Sequence, residues 1–211
     1  MPHNTHKVTL VLLLLLACML VACLRAGEPA EPRDFDITDL FLPLDTFPDN
    51  WQEVGDIQAM GPDSSLGFGD TDDASQVYKV RQKGLNVASY YVYKNDSIAE
   101  AERWYDRDLS FWFSKSPLFG QLFDEKSTPK EVSYRSAHAD QFYVACEIRK
   151  TPVDSGYRCG VIAQYEEFGV VFHTVVEPDT VSLEGFNTIV CNIDALFVAR
   201  LALSSQPIDC Q

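Results

Sequence analysis

Positive charge is scarce in this chain. It holds 17 Lys and Arg against 31 Asp and Glu, a formal charge of −14 at pH 7. A surface this acidic argues against nucleic acid as a partner and against flat docking on anionic lipid. Histidine is scarce too: His3 and His6 sit in the first seven residues, leaving only His138 and His173 further along. The serine nucleophile elbow Gly-x-Ser-x-Gly, the phosphate loop Gly-x4-Gly-Lys, the zinc helix His-Glu-x2-His and any Cys-x-x-Cys are all missing. No cofactor and no metal is therefore expected, and an enzyme would have to work with scattered carboxylates.

What is present begins with one long apolar run. Val8 to Ala22 follows a short segment whose only full positive charge is Lys7, and contains five consecutive leucines, Leu12 to Leu16. At fifteen residues it fits the core of a secretory signal better than a membrane span, which needs about 20 apolar residues. It ends in Leu20-Val21-Ala22-Cys23. This end of the chain resembles the signal of bacterial lipoproteins. The resemblance implies cleavage before Cys23, a diacylglyceryl group on the Cys23 thiol and acylation of the new amino group. Each buried methylene contributes about 0.8 kcal/mol, so two or three acyl chains hold a soluble domain on a bilayer. The position after the cysteine is Leu24 and not Asp, which by the same resemblance lacks an inner-membrane retention signal. Leu15-Leu16-Ala17-Cys18 is a second candidate, but cleavage there leaves a shorter core. An uncleaved anchor over Val8 to Leu24 is the remaining alternative.

Removal of residues 1–22 takes away Lys7 and no acid, so the mature charge becomes −14 − 1 = −15. Four thiols then remain besides Cys23: Cys146, Cys159, Cys191 and Cys210. An even number in an exported chain suggests two disulfides, with three connectivities open. Register favours one of them. Folding 141–150 and 157–166 as a hairpin with Cys146 opposite Cys159 sets Phe142 against Ala163, Val144 against Val161 and Ile148 against Tyr157, with Glu147 opposite Arg158. A slip of one residue would turn one strand's faces over. Cys191 is left to Cys210, where it would staple the C-terminal tail to a helix.

The expected organisation is a signal over 1–22, a flexible Pro-rich and charged linker over 23–36, and one globular domain over 37–211. Strands are predicted at Trp51–Ala59, Ser75–Gln82, Asn86–Lys94, Glu131–Arg135, Gln141–Lys150, Tyr157–Glu166 and Gly169–Val176. One helix is predicted from a capping box at Ser97-Ile98-Ala99-Glu100, with Ile98, Ala101, Tyr105, Leu109 and Trp112 on its apolar stripe. A second runs over Ser182–Leu203 on the stripe Phe186, Ile189, Val190, Ile193, Phe197 and Leu201. Short links favour antiparallel neighbours. The fold class is thus α+β: a single mostly antiparallel sheet of six or seven strands with two amphipathic helices packed on it. The arrangement is similar to PsbP-like domains in plan only, and no functional residue is carried over.

Three candidate sites remain. Ser136, His138 and Asp140 are the residue types of a hydrolase triad, but two apart on one segment they cannot form a relay. Asp70, Asp72 and Asp73 lack calcium-loop spacing and read as a solvated turn. Phe111, Trp112, Phe113, Phe119 and Phe123 exceed what a helix stripe needs. They form either a contact surface or the wall of an apolar pocket, unless they fold over the sheet as core. The reading is a lipid-anchored protein on the extracytoplasmic face of the cell membrane with a non-catalytic binding or assembly role. The alternatives are a carrier of a small apolar ligand and a hydrolase of unrecognised type.

Overall fold

Runs of β-branched and aromatic residues build the strands, and the way they pair is set by which faces must be covered. A computed structural model describes residues 32–60, 72–80, 86–113, 115–116, 120–121, 125–150 and 155–210. The main sheet contains β1 (Trp51–Glu53), β2 (Gln58–Met60), β3 (Asp72–Val80), β4 (Asn86–Lys94), β7 (Gln141–Lys150), β8 (Ser155–Tyr165) and β9 (Phe168–Val176). Its order is β1-β3-β4-β9-β8-β7, with β2 beside β1 on the same edge of β3, and every pairing is antiparallel. A separate ladder pairs β5 (Lys115–Ser116) with β6 (Gly120–Gln121). Helix α1 (Ile98–Phe113) and helix α2 (Leu183–Arg200) lie on opposite faces of the sheet, so the protein is α+β as its pattern of elements predicts.

Two strand expectations change. The predicted strand Trp51–Ala59 is broken into β1 and β2, because the chain turns at Gly55, whose φ of +74° suits a residue without Cβ. This interruption leaves a short, irregular edge, a form that resists pairing with other chains. Residues 131–135 join no sheet: Glu131 lies in a turn and 132–135 have no regular structure. Three of their backbone groups bond Asn187 of α2, which accepts from the Ser133 and Tyr134 N–H groups at 3.2 Å each and donates to the Glu131 carbonyl at 2.5 Å. A side-chain amide thus replaces a neighbouring strand.

The hairpin β7–β8 has the expected register, with Cys146 opposite Cys159 and Glu147 opposite Arg158. The Cys146 N–H turns outward to the Thr128 hydroxyl at 2.9 Å, so the cysteines are a non-hydrogen-bonded pair with Cα atoms 4.0 Å apart. Cys146–Cys159 is bonded, and so is Cys191–Cys210, which ties the tail to α2. Two disulfides are compatible with an extracytoplasmic location.

The first face of the sheet carries the larger core. Tyr78, Tyr90, Phe172, Val161 and Tyr165 meet the α2 stripe Phe186, Ile189, Val190, Ile193, Phe197 and Leu201, all of it buried as predicted. Helix α2 starts where the Ser182 hydroxyl accepts from the Gly185 N–H. A strap over residues 33–47 completes this face. Its Phe41 packs on Tyr90 at 4.8 Å, Phe47 on Tyr78 at 4.4 Å, and the Tyr90 hydroxyl donates to the Leu40 carbonyl. The strap begins inside the segment expected to be a flexible linker: Arg33 is bonded to the β8–β9 turn and Phe35 packs on Phe168.

The second face carries α1. Its cap is the Ser97 hydroxyl, which accepts from the Glu100 N–H at 3.3 Å. Its buried residues are Ala101, Trp104, Tyr105, Asp108 and Phe113, while Ile98 is 48% exposed, so the apolar stripe is rotated from the predicted one. The cause lies on β9. Trp104 fills the notch left by Gly169, where an added Cβ would lie 2.1 Å from the indole, and packs at a tilt on Tyr93 at 4.7 Å.

Candidate contact surface

The C-terminal end of α1 crosses the second face and sets three consecutive aromatic residues in different surroundings. Phe111 points outward and is 45% exposed. Trp112 is half-buried and lies over the sheet, 6.3 Å from Tyr91 and 5.5 Å from His173, with Tyr91 and His173 themselves 6.2 Å apart. Phe111 closes on Trp112 edge-on at 5.2 Å. Phe113 is buried and packs edge-on against Tyr143. The expectation of an aromatic contact surface is thereby corrected at Phe113, which is core: a helix presents consecutive residues about 100° apart, so three in a row cannot share one side. Phe119 and Phe123 lie outside the described residues, as does Cys23.

Two titratable groups sit beneath Trp112. The Asp108 carboxyl is buried and accepts from the Arg107 Nε at 2.9 Å. Burial raises its pKa above the ordinary value, and hydrogen bonds from Arg107 and Trp112 oppose that rise. His173 is pushed down to about 4 by burial, with the Arg158 guanidinium adding to the effect, so it is neutral at pH 7. Arg158 pairs with Glu147 at 3.8 Å on the half-exposed margin of the same face. Sequence reasoning did not find Asp108. Its position four residues after Trp104 and four before Trp112 was the available signal, since that spacing places all three on one side of a helix.

The hydroxyl group of Ser136 is engaged elsewhere. It donates to the Asp194 carboxylate at 2.8 Å, which also accepts from Tyr165 at 2.7 Å and Tyr134 at 2.5 Å. Asp194 is 1% exposed on α2, and the three hydroxyls satisfy it without a cation. Burial first, and then the hydrogen bond to Asp194 together with its charge, raise both tyrosines. The Ser136 oxygen also accepts from the His138 and Ala139 N–H groups, and the Asp140 carboxylate accepts from the Glu166 N–H. Ser136, His138 and Asp140 therefore brace a loop. Asp72 and Asp73 belong to β3 rather than to a turn, and Asp70 lies outside the described residues. Among the described residues no group of three or more His, Cys, Asp or Glu is arranged to hold a metal ion.

A second constellation surrounds the β8–β9 turn. Arg33 bonds Glu167 through both carboxylate oxygens, at 2.6 and 2.7 Å, and also bonds Glu166. Asn95 donates to the Glu167 carbonyl through its backbone and its side chain, and Gln164 donates to the Glu166 carbonyl. Glu166 has a φ of 51°, an uncommon region for a residue with a side chain, and it is held there by bonds to Arg33, Asp140 and Gln164. A shallow open depression of about 380 Å³ lies at the start of α2, walled by Phe47, Pro48, Val181, Glu184 and Ile189. Phe111 has no part in it.

The chain is similar to the crystal structure of an uncharacterized protein from Mycobacterium smegmatis. The two are 12% identical, with a TM-score of 0.39, over 81% of this chain and 97% of that one. A likeness this distant carries no argument about activity. No protein-family model matches the chain, and no curated protein does.

Proposed function

We propose that the protein is exported, held on the extracytoplasmic face of the cell membrane by lipid on Cys23, and binds a protein partner through the outer end of α1. The sequence Leu20-Val21-Ala22-Cys23 supports the anchor, and the two disulfides suit the compartment. One observation carries the binding role. Phe111 stands 45% exposed at the end of a helix whose next residue, Trp112, rests on Tyr91 and His173, so an exposed aromatic ring is mounted on a rigid aromatic base. Aromatic anchors fixed in this way lose little conformational freedom on binding and recur as interface hot spots.

A matched control tests the role. A photo-crosslinking residue is placed at Phe111 and, separately, at Ile98, which is 48% exposed at the other end of α1. In cells, position 111 is expected to yield a discrete crosslinked species that position 98 does not. Equal yields from both, or none from 111, contradict the binding surface.

A further inference from the structure

The Arg33 clamp fixes more than a turn. Arg33 is the first side chain of the described body to be tied down, and its partner Glu167 has a side chain only 2% exposed. A tether needs no bidentate ion pair at its root, and a nearly buried carboxylate such as Glu167 is costly to leave unpaired. What the pair accomplishes is to fix the point at which the chain leaves the domain. That point is the β8–β9 turn, at one end of the strands. The other end of β9 is eight residues on, about 27 Å away. Trp112 stands over His173, five residues from Phe168, so Phe111 is displaced about 17 Å from the turn along the strand direction.

Resting on the anchoring reading above, we infer that the β8–β9 turn is the membrane-facing end of the domain, set there by Arg33, and that the Phe111 end points away from the bilayer. Ten residues, 23–32, separate the lipid from the clamp. Ten residues reach at most about 34 Å, little more than the roughly 27 Å length of β9. Turning the domain end over end would need that tether stretched almost fully along its side, and lying flat would press a body of charge −14 − 1 = −15 against an anionic leaflet. The partner for Phe111 is accordingly a protein reached from outside, while the turn faces the bilayer across the tether.

Labels at the two ends decide this. Asp96 is exposed beside the turn, next to Asn95, and Asp179 is exposed just beyond the far end of β9. Asp96→Cys and Asp179→Cys are each labelled with a fluorophore in the full-length, membrane-extracted protein. The protein is then reconstituted into phosphatidylethanolamine and phosphatidylglycerol vesicles bearing a headgroup nitroxide. Quenching at position 96 is expected to exceed that at 179 by about twofold or more, given the roughly 27 Å between the ends. Arg33→Gln is expected to shrink this contrast. So is a ten-residue Gly/Ser insertion ahead of Pro32, which leaves the clamp intact and serves alone if the Arg33 variant does not fold. Equal quenching at the two sites, or stronger quenching at 179, overturns the orientation. An undiminished contrast in both variants overturns the role of the clamp and its short tether. Protein that stays in the aqueous fraction fails the anchoring reading itself, which separates the two failures.

Discussion

The two faces of the sheet solve burial differently. On the first face large rings interlock: Phe172 meets Tyr90 at 5.9 Å, Phe47 at 6.3 Å and Phe186 at 6.4 Å. Buried polar groups there are mostly satisfied, as with Asp194 and its three hydroxyls, or Thr174 donating to the Val87 carbonyl at 3.1 Å. The exception, Gln76 Oε1, lies beside the broken edge. Among the described residues, the second face is covered by α1. It keeps a buried Asp108 and a half-buried neutral His173, and leaves the Trp104 indole N–H without a partner among the described residues. The first face therefore carries the stability, and the second accepts polar groups in apolar surroundings at some cost to it. Features of that kind accumulate at sites retained for binding more than for packing.

That contrast can be broken at its strongest point first. Phe172→Ala empties the centre of the first face and is expected to cost about 3–5 kcal/mol, read by urea denaturation. Acid tests the second face next. His173 titrates near 4 when folded and near 6.5 when unfolded, so the unfolded chain binds the proton more readily. Stability is thus full above about pH 6.5 and falls by up to about 3 kcal/mol as the pH drops toward 4. His173→Gln should flatten this slope. Asp108 acts with the opposite sign, since its raised pKa makes ionisation unfavourable to the fold, and Asp108→Asn should steepen the loss in acid. Gly169→Ala drives a methyl group into Trp104 and is expected to cost about 1–3 kcal/mol, with a change in tryptophan fluorescence as the indole shifts. The smallest effect belongs to Phe111→Ser. It should move stability by less than about 0.5 kcal/mol, as an exposed site does, while abolishing partner capture.

Elements whose faces are decided locally were legible in the sequence. The β7–β8 register follows from pairing apolar with apolar and Glu147 with Arg158, and the α2 stripe follows from its 3.6-residue period. Features decided by distant shape were hidden. Nothing near α1 announces that Gly169 offers a notch, so the helix rotates toward Trp104 and leaves Ile98 exposed. Residues 131–135 have strand propensity, but propensity does not say that Asn187 will supply hydrogen bonds in place of a neighbouring strand. Arg33 stands 134 residues from Glu167, and a composition rich in proline and charge concealed its docking. The aromatic cluster was visible as an excess, yet the helix phase that separates outward Phe111 from buried Phe113 depends on where α1 lands on the sheet.

The claim that an acylated Cys23 holds an oxidised domain outside the cell is tested most directly by the intact mass of the membrane-extracted protein under non-reducing conditions. The expected mass is that of residues 23–211, less four hydrogens for two disulfides, plus a diacylglyceryl group and an amide-linked acyl chain. A mass equal to unmodified residues 1–211 with every cysteine reduced would contradict the account.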